Sequence, residues 1–278
     1  LKDALSGLRN LNRLSVDATP LLYPSQNFEN ELKLMFEELN PLKYLRIRGT
    51  RGISVFQSIL PRHGKTLLGL IIEPMDWPDH FNDGEESHAI YPLLEPFHIA
   101  QFADLCPYVE ELRLPIARSW GNRRECQLYE ALGKFRSLRS LVLDLDCYSL
   151  YAWDTSSTDS IRDSKIYSAL ANAAMDETLA RSIWDLISSN QQTQRLRHLR
   201  ISIFGGNTLH WGVRRTILQL SRSFLITKAW HDPLEVKMIE IGQEEREVMP
   251  QLVPEYTWAG VSRLPMWLQG IIQSLWPS

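Results

Sequence analysis

Apolar residues along the chain recur seven times in one pattern, L-x-x-L-x-L with conservative replacements. The units are Leu11, Leu14, Val16; Leu42, Leu45, Ile47; Leu67, Leu70, Ile72; Val109, Leu112, Leu114; Leu138, Leu141, Leu143; Leu196, Leu199, Ile201; and, weakest, Val236, Ile239, Ile241. The second and third apolar positions of a unit are two residues apart, which places both on one face of a short strand. The first belongs to the turn feeding that strand. Leu8, Leu39, Cys106 and Phe135 extend several units by one further apolar position. Six good matches of the same phase are hard to produce by chance, and they predict a repeat architecture.

Helix signals fall between the strands. Ser25 can cap a helix whose apolar stripe is Phe28, Leu32, Met35, Phe36 and Leu39. Leu128, Leu132 and Phe135 mark a second helix, and Asp176 can cap a third carrying Leu179, Ile183, Leu186 and Ile187. Strand, turn, helix and next strand form units that bury their apolar faces only against neighbours. The expected fold is α/β: an irregular leucine-rich repeat solenoid, a curved parallel sheet with helices on its convex side. The steps between the marker positions 14, 45, 70, 112, 141, 199 and 239 run from 25 to 58 residues, and four of the six exceed the roughly 20–29 of a regular repeat, so insertions are expected near 73–98 and 148–176. Residues 1–250 form the solenoid on this reading. Within 251–278, Leu264, Trp267, Leu268, Ile271 and Leu275 make a helical stripe suited to capping its open end.

The stretch IAQFADLCPYVEELRLPIARSWGNRRECQLYEALGKFRSLRSLVLDLDC (99–147) resembles the leucine-rich repeats of fungal F-box proteins, in which a helix ending in a Cys-Pro pair (here Cys106 and Pro107) leads into a V/L-E-E-L-x-L strand. LPRHGKTLLGLIIEP (60–74) is similar to their H-G-x-T-L-x-x-L unit. The resemblance covers most of residues 1–205 in repeat style. It implies a receptor that brings a protein substrate to a cullin-type ubiquitin ligase, with the ligase adaptor held by an N-terminal F-box. No leucine- and proline-rich F-box helix set precedes Leu8, so the chain reads either as a fragment lacking it or as a relative without one.

Composition narrows the function classes. With 44% hydrophobic and 23% charged residues, the chain has enough apolar content for a sizeable core. A formal net charge of −3 argues against a dedicated nucleic-acid binder, which carries a strongly basic footprint. The 15-residue C-terminal apolar stretch holds two prolines and is too short to span a bilayer. Three cysteines, Cys106, Cys126 and Cys147, show neither disulfide nor zinc spacing. An intracellular protein, cytoplasmic or nuclear, is the expectation. Gly64-Lys65-Thr66 ends like a phosphate loop, but Ile59 occupies the place of the required earlier glycine. The acidic run from Asp79 departs from a calcium loop at Phe81 and Ile90. No esterase elbow or zinc-protease motif is present, and the seven histidines lack metal spacing. No catalytic residue, metal or cofactor is expected.

A binding role then falls to the strand positions between the buried leucines, which face the concave surface. They bring together Arg13, Tyr44, Arg46, Arg48, Arg113, His198 and Arg200. Arg and Tyr are favoured at protein interfaces because they combine contact area with directional hydrogen bonds. Asp17, Glu73, Glu111, Asp144 and Glu240 share the face, so pairing across neighbouring strands is the competing use of these charges. Trp77 and Phe81 in the acidic insertion, and Trp153 in the Ser/Thr-rich one, complete the candidate partner-binding set. The chain therefore reads as a non-catalytic protein-binding module. The alternatives are a leucine-rich scaffold unrelated to ligases, or a carbohydrate-acting hydrolase using some of the nine tryptophans as sugar platforms. Trp184, Trp267 and Trp276 speak against the last, lying on or beside apolar helix stripes.

Overall fold

Eight strands hydrogen-bond side by side in chain order, β1 to β8, in the computed structural model, which describes residues 11–18, 26–50, 52–75, 91–148, 161–206, 209, 211–229 and 235–242. The first six are β1 (Arg13–Asp17), β2 (Tyr44–Arg48), β3 (Gly69–Glu73), β4 (Glu111–Ala117), β5 (Ser140–Asp146) and β6 (His198–Phe204). Every neighbouring pair among them is parallel. The marker leucines stand opposite one another along the whole series: Leu14, Leu45, Leu70, Leu112, Leu141 and Leu199. One face of each strand supplies the core. Leu45, Ile47, Leu70, Ile72, Leu112, Leu114, Leu141, Leu143, Leu199 and Ile201 are all buried. Burying each such side chain contributes about 1.5–3 kcal/mol.

The connections are helical, as parallel pairing demands. They are α1 (Gln26–Glu38), α2 (Ile53–His63), α3 (Pro96–Leu105), α4 (Arg123–Leu132), α5 (Ile161–Ala173) and α6 (Glu177–Asn190), with α7 (Trp211–Leu220) following β6. Apolar residues of α1–α4 and α6 join the inward strand leucines in one cluster, so this helix layer covers a single face of the sheet. Phe36, Phe56, Phe102, Phe135 and Trp184 fill it. The helix expected at Asp176 begins there: the Leu179 N–H donates to Asp176 Oδ1 at 2.7 Å. The second insertion contains α5, whose Ile166, Ala169, Leu170 and Ala173 pack with Cys147, Tyr148 and the Val213 and Ile217 side chains of α7 in a separate cluster. The cap helix in 251–278, the Ser25 cap and most of the first insertion lie outside the described residues.

The seventh unit departs from expectation. A strand that the repeat template misses, β7 (Ser223–Lys228), pairs antiparallel with β6, and β8 (Val236–Ile241) pairs antiparallel with β7. Phe224 and Ile226 are the buried residues of β7, and they stand opposite Glu240 and Met238. The inward positions of β8 are thus Val236, Met238 and Glu240. Ile239, assigned inward by the template, is 42% exposed and stands opposite Leu225, which stands opposite Arg200. Met238 and Glu240, expected on the outward face, lie on the core side instead. A shift by one residue exchanges the two faces of a strand.

Polar ties hold successive units together. The Leu42 N–H donates to His63 Nδ1 at 3.3 Å, and His63 Nε2 lies 3.0 Å from the Phe36 carbonyl. Gln191 acts similarly further along: its Nε2 donates to the Phe135 and Leu138 carbonyls, and its Oε1 accepts from Leu196 N–H at 2.8 Å. The C-terminal ends of α4 and α6 approach so closely that a Cβ on Gly133 would sit 2.7 Å from the Asn190 carbonyl carbon. His63 needs its neutral form, because Nδ1 accepts while Nε2 donates. Burial lowers its pKa below the ordinary 6.5, with Arg62 adding to the effect and the Phe36 contact opposing it. A lowered folded-state value means that stability from this group is complete above about pH 6.5 and is lost as pH falls from there through the folded value. Thermal melts between pH 7.5 and 5 are expected to fall more steeply for the native chain than for His63→Asn.

Candidate interaction face

The face opposite the helix layer is lined by residues alternating with the buried leucines. Strand register sets them in rows. One row reads Ser15, Arg46, Ile71, Arg113, Val142, Arg200, Leu225, Ile239; another reads Arg13, Tyr44, Gly69, Glu111, Ser140, His198, Thr227, Lys237. The expected set Arg13, Tyr44, Arg46, Arg113, His198 and Arg200 is therefore on one face, and Arg48 joins it in the row of Asp17 and Glu73. Trp77, Phe81 and Trp153 lie outside the described residues.

Most of these charges are already engaged. Arg46 Nε donates to Glu73 Oε2 at 2.9 Å, a second guanidinium nitrogen bonds the same oxygen, and Nη1 reaches Ser15 Oγ at 3.4 Å. Arg113 bonds the other oxygen of Glu73 and grips Asp144 through Nε at 2.7 Å and Nη2 at 3.2 Å. Arg48 lies 3.5 Å from Asp17. A continuous chain, Ser15, Arg46, Glu73, Arg113, Asp144, thus spans β1 to β5. Burial pushes the Asp144 carboxyl above its usual range, against the pull of Arg113. Burial pulls the Arg113 guanidinium down, but Asp144 and Glu73 outweigh it and hold the group above its ordinary value. Beside this chain, the Arg13 guanidinium sits 4.4 Å over the Tyr44 ring. That ring lies across Gly69, where an added Cβ would come within 2.6 Å of Tyr44 Cδ1.

Arg200 and His198 differ from the rest. Both are exposed, and neither side chain makes a hydrogen bond or ion pair among the described residues; the Arg200 charge acts on Asp144 at longer range.

The C-terminal edge of the sheet carries a second polar arrangement. Tyr91 donates its hydroxyl to Asp146 Oδ2 at 2.6 Å and packs edge-on against Phe204. The neighbouring loop after β4 is held from beneath by Glu125. Its carboxylate accepts from Arg118 Nε (3.2 Å), Ser119 N–H (2.6 Å), Gly121 N–H (2.9 Å) and the Tyr129 hydroxyl (2.8 Å). Arg118 and Glu125 are both buried. Arg118 also donates to the Asn172 carbonyl at 2.8 Å, and Asn172 Oδ1 accepts from Trp120 N–H at 2.8 Å. Trp120 is thereby fixed at φ +63°, a left-handed conformation unusual for a bulky residue. The residue is 54% exposed, and its ring tilts against that of Tyr167 with centroids 5.2 Å apart. Trp120 was not singled out from sequence; its position before Gly121 in a polar turn was the available signal.

The thiols are not set up for reaction. Burial pushes Cys106 up to about 12 and raises Cys147, and burial, Glu125 and Glu130 raise Cys126. Among the described residues, no group of three histidines, cysteines or carboxylates is placed to hold a metal ion. No helix of these residues is long and apolar enough to cross a membrane. No protein-family model, curated protein or solved structure matches the chain.

Proposed function

We propose that the chain is a non-catalytic protein-recognition module, an irregular leucine-rich repeat solenoid that binds its partner on the outward face of the sheet. The observation that carries this reading is the in-register stack of six L-x-L strands that, among the described residues, is covered by helices on one face only. Repeat proteins with one helix layer leave the opposite face of the sheet for partners. Here that face presents Arg, Tyr and His side chains on rigid strands. Rigid presentation lowers the entropy cost of binding.

The resemblance of residues 99–147 and 60–74 to fungal F-box repeats supports the finer proposal: the substrate-recognition part of an F-box-type ubiquitin ligase receptor. On that reading the bound protein is handed to the ligase, and the adaptor is held by an F-box outside the repeats.

Affinity purification from the native cell, followed by mass spectrometry, tests both levels. Recovery of a cullin and its adaptor with the full-length protein supports the ligase role; recovery of neither sinks it. A further protein that is captured by the native chain and lost with Arg13→Glu plus Arg200→Glu supports recognition through the outward face. Both positions are exposed, so these changes leave the core untouched. Equal capture by native chain and variant places the binding surface elsewhere.

A further inference from the structure

The outward face is not uniform, and its asymmetry points to one kind of ligand. From β1 to β5 its Arg46, Arg48 and Arg113 are neutralised by Glu73, Asp17 and Asp144, while Arg13 at the β1 edge lies over the Tyr44 ring. From β6 to β8 the outward positions are His198, Arg200, Ser202 and Phe204, then Ser223, Leu225 and Thr227, then Lys237, Ile239 and Ile241. None of these is a carboxylate. Glu240 lies on the core side, bound to Arg222. Among the described residues the nearest acids on this side are on β5: Asp144, already gripped by Arg113, and Asp146, opposite Phe204 and bonded by the Tyr91 hydroxyl and the Tyr148 N–H; Glu111 lies two strands from His198, and Glu235 sits in the segment between β7 and β8. The side chains of Arg200 and Lys237 make no hydrogen bond or ion pair among the described residues. Between them stand Leu225, half-buried, and Ile239, 42% exposed, with Val142 continuing the apolar row beyond Arg200.

We infer that the outward face of β6–β8 is the part that takes the partner, and that the partner offers an acidic peptide segment with an apolar residue between its acids. This rests on the recognition reading above and narrows it. Strands lie about 4.8 Å apart, so Arg200 and Ile239 are separated by two strand spacings, roughly 10 Å. An extended segment presents alternate side chains to one side about 7 Å apart. Laid across the three strands, it can set one acid on Arg200 and another on Lys237 while an apolar side chain covers Leu225 and Ile239. Unpaired cations around an apolar centre are complementary to this pattern, whereas the self-paired charges of β2–β5 would first have to be separated. A nucleic-acid strand fits less well. Among its described residues the patch offers two rings, Phe204, which packs against Tyr91, and the His198 imidazole, rather than a row of aromatic platforms for successive bases.

Panning a random phage-displayed peptide library against the full chain tests this. The selected peptides are then measured by fluorescence anisotropy. The expected result is selection of peptides with acids flanking an apolar residue, binding at least about tenfold weaker to Arg200→Glu/Lys237→Glu and unchanged with Arg46→Glu. Replacing the peptide acids with lysine should restore binding to the charge-reversed variant, which shows that the variant is folded. Acidic peptides that respond to Arg46→Glu instead would overturn the placement but leave outward-face recognition standing. Selection of peptides without acids, or of none, would overturn the acidic-partner inference, while the ligase role stands or falls on the purification. Tighter binding of a single-stranded polyuridine probe than of any selected peptide would also overturn it, in favour of a polyanion surface.

Discussion

Glu125→Ala is expected to lower the free energy of unfolding by about 3–5 kcal/mol, measured by guanidinium titration. The size follows from what the carboxylate holds. It is 1% exposed and accepts from one guanidinium, two backbone N–H groups and one hydroxyl. Removing it leaves Arg118, 2% exposed, as a buried cation whose remaining partners are main-chain carbonyls. It also frees the N–H groups of Ser119 and Gly121 and the Tyr129 hydroxyl. Glu125→Gln keeps the shape and part of the bonding, so its loss should be smaller. In an Arg118→Met background, Glu125→Ala should cost distinctly less than in the native chain, because the stranded charge is gone; equal losses in both backgrounds would show that the pair is not coupled. Trp120 gives a local reading of the same event. Its stacking on Tyr167 depends on a loop that Glu125 and Asn172 hold in a left-handed bend.

Phe102→Ala should cost a comparable amount, about 3–5 kcal/mol, through a different mechanism. The ring on α3 is fully buried and packs at 6.0 Å, tilted, against Phe56 of α2. Truncation leaves a cavity between adjacent helices of a single layer. The strands beneath cannot close over it, because their register is fixed by hydrogen bonds on both sides. Phe102→Leu retains most of the volume and should cost less than about 1.5 kcal/mol. The contrast between the two variants separates lost packing from any general intolerance of change at this site. A similar loss for both would mean that ring geometry, not volume, governs the contact with Phe56.

The six parallel strands were legible because leucine three residues before an L-x-L pair fixes both the turn and the inward face. The marker residues duly stand opposite one another from Leu14 to Leu199. β7 was invisible to the same template because Ser221 stands where the preceding leucine should be, although Phe224 and Ile226 alternate as an inward pair. β8 matched the template in the wrong phase. It has apolar residues on both faces, and pairing with β7 settled what local pattern left ambiguous. The charge rows could be read from the sequence, but not their partners. Register sets Glu73 opposite Arg48, yet the carboxylate bonds Arg46 diagonally and Arg113 on the next strand, while Arg48 turns back to Asp17. Only side-chain reach in three dimensions decides that choice. It also decides which part of the outward face stays uncommitted.

The reversal of chain direction at β7 limits how this molecule can grow. A unit copied anywhere between β2 and β5 would meet a parallel neighbour on each side, with leucines already in phase, and would lengthen the sheet by one strand spacing of about 4.8 Å. The same unit spliced in after β7 would lie beside a strand running the other way, paired by a different hydrogen-bond lattice. Modularity therefore belongs to the first six strands.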